Sequence, residues 1–75
     1  MNNSDAYKYA FRDVIYDLVE RAKGMSSATE VDQRIAMLNT LGLIKSQAIT
    51  FGLDLEYLGL ADFDPERWFL ETSKP

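Results

Sequence analysis

The chain contains no cysteine and no histidine. The first absence excludes disulfides, and the two together remove the usual zinc ligand sets. They also take away the commonest general base and the softest nucleophile from any catalytic scheme. A glycine-rich phosphate loop, a G-x-S-x-G elbow and a metalloprotease helix motif are missing as well. The longest apolar stretch is interrupted by Asn39, Thr40, Lys45, Ser46, Gln47 and Thr50, so no membrane span is expected. Met1-Asn2-Asn3-Ser4 leads into charged residues without an apolar core, which predicts no secretory signal and makes a cytoplasmic protein the default. Basic residues are few: eight Lys and Arg against twelve Asp and Glu give a net charge of −4 and a pI near 4.5. That balance disfavours phosphate backbones and anionic lipid as partners and favours basic proteins.

Charge of either sign is nearly absent from one long stretch. Between Ile35 and Leu53 the only ionisable side chain is Lys45. The stretch predicts one helix over about 28–51, and a helix with so little charge around it is normally covered on more than one side. At about 100° per residue, Val31, Ile35, Leu38, Gly42 and Ile49 fall on one line of it and Met37, Leu41, Ile44, Ala48 and Phe51 on a second. Lys45 lies between the stripes, where its stem packs and its ammonium reaches for water or a carboxylate. Glycine costs about 1 kcal/mol against alanine in a helix interior. Both stripes nevertheless stay in phase across Gly42, which argues for a continuous helix.

Before this stretch, Asn2, Asn3 and Ser4 are N-cap candidates for a first helix over about 5–23, with Asp5 in its first turn. Its apolar stripe is Tyr7, Phe11, Val14, Leu18 and Ala22, widened by Ala10 and Ile15. Gly24 is expected to supply a left-handed C-cap, and Ser27-Ala28-Thr29-Glu30 matches a capping box. So short a connection makes the two helices an antiparallel hairpin. The register places Val14 opposite Leu38, Leu18 opposite Ile35, and Gly42 where it leaves room for the Phe11 ring. The first helix then covers the Val31–Ile49 line, and the Met37–Phe51 line is left free.

Gly52 reads as a C-cap, and Asp54–Gly59 as a single turn closed by glycine. Asp64-Pro65-Glu66 opens a short third helix over about 65–71 that carries Trp68 and Phe69. The tail is too apolar to be a linker and must pack on something, either its own hairpin or a partner's.

The expected architecture is one all-α domain over 1–75: an antiparallel helical hairpin plus a short C-terminal helix. A chain this small buries only about 60–65% of its unfolded surface, so oligomerisation is the natural staple when disulfides and metals are excluded. Dimerisation into a four-helix bundle is therefore expected, with Met37, Leu41, Ile44, Ala48 and Phe51 as the interface. On the outer side of the first helix, Tyr9 and Tyr16 stack seven residues apart with Asp13 and Glu20 beside them, the make-up of a surface for a basic partner. Trp68 and Phe69 are candidates for the same role.

Asp13, Asp17 and Glu20 recur at i, i+4, i+7 and suggest either a hard-cation site or a solvated acidic face, with Asp17 pairing Arg21. The solvated face is favoured, because helical carboxylate metal sites usually add histidine. Asp62, Asp64 and Glu66 resemble a calcium loop only until Pro65, and capping chemistry explains them better. Leu41-Gly42-Leu43 with Ser46 and Phe51 loosely echoes a helix-turn-helix, but a reading helix with Lys45 as its lone cation is poorly equipped for phosphates and base edges. The sequence thus predicts a non-catalytic protein-interaction module without cofactor or metal, acting as a small regulator, adaptor or inhibitor by stoichiometric binding. The alternatives are an acidic inhibitor that mimics nucleic-acid charge toward a basic protein, and a DNA-binding regulator.

Overall fold

In a computed structural model that describes residues 3–74, the chain folds as three helices: α1 (Asn3–Lys23), α2 (Val31–Thr50) and α3 (Pro65–Thr72). No strand is present among the described residues. The all-α reading holds, with boundaries close to those expected. Asn2 lies outside the described residues. Helix α1 and helix α2 run antiparallel: Ser4 and Tyr7 line the same cleft as Gly52 and Leu53.

Helix α2 is continuous through Gly42, so the turn that a helix-turn-helix would need at Leu41–Leu43 is helical backbone. The helix ends where Gly52, at φ 69°, lets the Leu53 N–H reach back to the Ala48 carbonyl at 2.8 Å. This is the six-residue closure of a Schellman motif. The same device recurs at Gly59, at φ 73°, where Leu60 N–H bonds the Leu55 carbonyl at 2.8 Å. Asp54 opens that turn by accepting from the N–H groups of Glu56 and Tyr57. Asp64 caps α3 in the expected way, accepting from Glu66 and Arg67 N–H with Pro65 in the first turn.

Two local expectations are corrected. Gly24 is not among the glycines with positive φ; its N–H continues the α1 ladder to the Glu20 and Arg21 carbonyls. The capping box at Ser27–Glu30 does not form either. Glu30 is the N-cap of α2 and makes no side-chain cap bond. Ser26 and Thr29 instead exchange bonds within residues 24–30: Thr29 Oγ1 accepts from Ser26 N–H, and Ser26 Oγ from Ala28 N–H. That turn presents the Thr29 carbonyl to Arg34 Nε at 3.1 Å, a bond a helix beginning at Ser27 would forgo.

The larger correction concerns which faces are covered. The core consists of Ile15, Val19 and Ala22 of α1, Leu41 and Ala48 of α2, and Leu58, Leu60, Phe63 and Trp68 of the tail. The tail folds back on the hairpin as a third layer and takes the Leu41/Ala48 line that was expected to be free. Tyr7, Phe11 and Val14, expected to meet α2, remain exposed, as do Val31, Ile35 and Ile49. Gly42 does not accommodate the Phe11 ring, since a Cβ built there would have no neighbour within 4 Å.

Open space at Gly42 has a measurable consequence. Gly42→Ala adds a methyl without a clash and removes the entropic cost of a mid-helix glycine. It should raise stability by about 0.5–1 kcal/mol. Chemical or thermal unfolding of the two proteins checks this; a loss of stability would mean that the backbone at this position is not helical.

Candidate protein-binding site

Three surfaces bear on function, and the residues singled out from sequence are distributed over them. The first is the outer flank of α1. Tyr9, Asp13, Tyr16 and Glu20 lie there and are exposed, yet they are less free than a docking patch requires. Arg12 sits among three tyrosine rings, with its guanidinium carbon 5.1 Å from the centroid of Tyr9, 5.9 Å from Tyr16 and 5.2 Å from Tyr57. Its Nη1 donates to the Tyr57 hydroxyl at 3.3 Å and its Nε to Asp13 at 3.2 Å. The bond to Asp13 is the chief reason that the Arg12 pKa is raised above its ordinary value. Lys8 adds a second cation 4.7 Å from the Tyr57 ring centroid.

Tyr16 is a strap rather than a displayed ring. Its hydroxyl donates to the Tyr57 carbonyl at 2.9 Å, and its ring edge lies where a Cβ on Gly59 would come within 2.7 Å. Glycine at 59 thus serves both a left-handed turn and a close approach. The acids of this flank are partnered: Asp17 with Arg21 at 2.8 Å, as expected, and Glu20 with Lys23 at 3.7 Å. Among the described residues no group of three or more acidic side chains is placed to hold a metal ion.

Trp68 and Phe69 are not presented to a partner. Trp68 is 8% exposed, and its indole Nε1–H donates to the Ala22 carbonyl at 2.8 Å. Phe69 is half-buried under Arg34, whose guanidinium carbon is 5.7 Å from the ring centroid. Arg34 is itself buried and ties the α1–α2 connection to the C-terminal end of α3, donating to Thr29 O and, at 2.9 Å, to Ser73 Oγ. Sequence reasoning missed Arg12 and Arg34, which lie off the apolar stripes and so read as surface, and Tyr57, whose role depends on contacts with α1.

The second surface is a groove of about 730 Å³ between α2 and the start of α3. Leu38, Gly42, Ile49 and Pro65 supply its apolar lining, and Asp64 and Glu66 its acidic rim. Lys45 also lines it, but its ammonium is held by the Phe63 carbonyl at 2.8 Å. The third surface is the side of the hairpin turned away from the tail. Of the five residues expected at a dimer interface, Leu41 and Ala48 are 0% and 1% exposed beneath the tail. Met37 and Ile44 are half-buried, and Phe51 is 73% exposed. The stripe is therefore split, with two members facing inward.

No protein-family model, curated protein or solved structure matches the chain. Among the described residues, no helix is long and apolar enough to cross a membrane.

The contrast between core and flank predicts opposite outcomes for two aromatic substitutions. Trp68→Ala should cost about 3–5 kcal/mol, enough to unfold much of a domain this small. Tyr9→Ala should cost under about 1 kcal/mol, the worth of an exposed ring over a cation. Urea titrations followed by far-UV circular dichroism check both, and equal losses would contradict this assignment.

Proposed function

We propose that the protein is a non-catalytic helical interaction module of the cytoplasm that acts by stoichiometric binding to another protein, as a regulator, adaptor or inhibitor. The observation that carries this reading is the α2–α3 groove. Its apolar lining is open to solvent on a chain otherwise small enough to need every apolar contact. Its shape and lining suit an amphipathic helix laid along α2, the helix-in-groove mode of recognition. Gly42 lets the backbone of such a helix come close, since no side chain of this protein occupies that space. Asp64 and Glu66 on the rim, the net charge of −4 and the tethering of Lys45 to Phe63 O favour a partner that is basic at its edges.

The alternatives draw less support. A mimic of nucleic-acid charge needs a row of unneutralised carboxylates, whereas Asp13, Asp17 and Glu20 each stand beside a cation. A DNA reader needs a basic recognition helix, and α2 offers Arg34, which is buried, and Lys45, which is tethered. Of the partner residues read from sequence, Tyr9 and Asp13 stay exposed at the outer edge of α1, each engaged with Arg12.

Affinity capture from the native host, followed by mass spectrometry, tests this reading when the wild type is compared with Ile49→Glu. Ile49 is 60% exposed, so the substitution leaves the fold intact while placing a charge in the groove. A basic protein held by the wild type in stoichiometric amount should be lost from the variant. Equal recovery by both would remove the groove as the binding site.

A further inference from the structure

We infer that the protein forms a two-fold symmetric dimer through the side of the hairpin away from α3, completing a four-helix bundle through a strip that keeps Met37, Ile44 and Phe51 of the sequence-derived stripe and replaces its buried Leu41 and Ala48 with Tyr7, Phe11 and Val14 of α1. This rests on the reading of the chain as an interaction module and names the occupant of its remaining apolar face: a second copy. On α1, the line that meets the tail is Lys8, Arg12 and Tyr16. At about 100° per residue, Tyr7, Phe11 and Val14 lie roughly 130° from it. On α2, the tail is met by Arg34 and Lys45. Met37, Ile44 and Phe51 lie about 90° from that line. In an antiparallel pair these two rotations bring both strips to the same side of the molecule.

The strip has the composition of an interface. Tyr7 is 76% exposed, Val14 57%, Phe51 73% and Phe11 45%, while Met37 and Ile44 are half-buried. Met37, Ile44 and Phe51 repeat every seventh residue, the spacing that keeps a helix in register with a neighbour.

Two quantities select a second copy as the occupant. A compact monomer of 8.6 kDa should expose about 4,700 Å². This chain exposes 5356 Å², an excess of about 650 Å², close to the roughly 800 Å² that each partner gives to a standard interface. The second quantity is charge. Two copies of net charge −4 repel unless they meet where carboxylates are absent. Helix α2 and its cap carry no carboxylate from Ile35 to Leu53, although Asp54 lines a cleft with Tyr7 and Phe11 at one end of the strip. The groove on the other flank is rimmed by Asp64 and Glu66, and there a second acidic copy is disfavoured. Charge thus separates the two surfaces, one for self and one for a basic partner.

Sedimentation velocity of the full chain, from about 1 to 100 µM, is the test. The wild type should move from monomer toward a species of about 17 kDa, twice the chain mass of 8.6 kDa. Val14→Glu and Phe51→Glu alter side chains that are exposed in the monomer, so each should keep its helical circular dichroism. Each should also weaken self-association about 100-fold or more, because a charge would be buried without a partner. Ile49→Glu, on the groove side, should leave the dimer unchanged. A wild type that stays monomeric at the highest concentration overturns the inference. A dimer broken by Ile49→Glu but not by the other two overturns it as well. In the first case partner capture through the groove would still stand, so the two readings fail separately.

Discussion

The fold depends on the Trp68 indole. It lies in the core between α3 and α1, with Phe63 and Phe69 rings 6.3 and 6.5 Å away, and its Nε1–H ends on the Ala22 carbonyl. Ala22 ends the buried face of α1, and its carbonyl also accepts from Met25 N–H. A helix end normally offers such a carbonyl to water; here the last helix of the chain supplies the second donor. With Trp68 in place, the tail must run back along the hairpin, and Leu58, Leu60 and Phe63 come down over Leu41 and Ala48. A chain without cysteine thus gains its staple from its own C-terminal third.

Three of the bonds that fix the tail share one form. Tyr16 hydroxyl to Tyr57 O, Lys45 ammonium to Phe63 O and Trp68 Nε1–H to Ala22 O are all side-chain donors on backbone carbonyls, while Arg12 and Arg34 reach the hydroxyls of Tyr57 and Ser73. Carbonyls in turns and at helix ends have lone pairs that no ladder uses, so a long donor can hold an irregular segment without a matching side chain opposite. This explains how residues 52–64 are positioned with little regular structure of their own. Among the described residues, no buried side-chain nitrogen or oxygen is left without a partner.

The elements themselves were legible in sequence because their signals are local. The Asp64-Pro65-Glu66 start, the glycine closures at 52 and 59, and the unbroken helix across Gly42 all follow from chemistry within a few residues. Sidedness was not legible. Both stripes of α2 are apolar enough to be core, and the choice between them turns on where a tail residue forty-odd positions away from α1 makes its contacts. Arg12 and Arg34 were passed over for the same reason: each sits on a tail-facing line, and only the tail rings of Tyr57 and Phe69 give the guanidinium its partner. Trp68 and Phe69 could be read as displayed or inserted, and only the Ala22 and Arg34 contacts decide it. The capping box failed for a related reason, since Ser26 and Thr29 supply a competing turn that a pattern of spacing does not weigh.

The uncharged circumference of α2 now has a physical account. One side faces α1 and a second faces the tail, and these two account for Leu41, Ala48 and the stem of Lys45. The rest of its apolar surface divides into a strip bordered by Thr40 and Gln47 and a strip bordered by the acids that open α3. Those acids are there for a local reason, because Asp64 caps the helix and Glu66 complements its dipole. They nevertheless give an acidic rim to the groove that Leu38, Ile49 and Lys45 line. A capping requirement in one helix thereby sets the charge at the edge of its neighbour's groove, and that charge is what the proposed basic partner would meet.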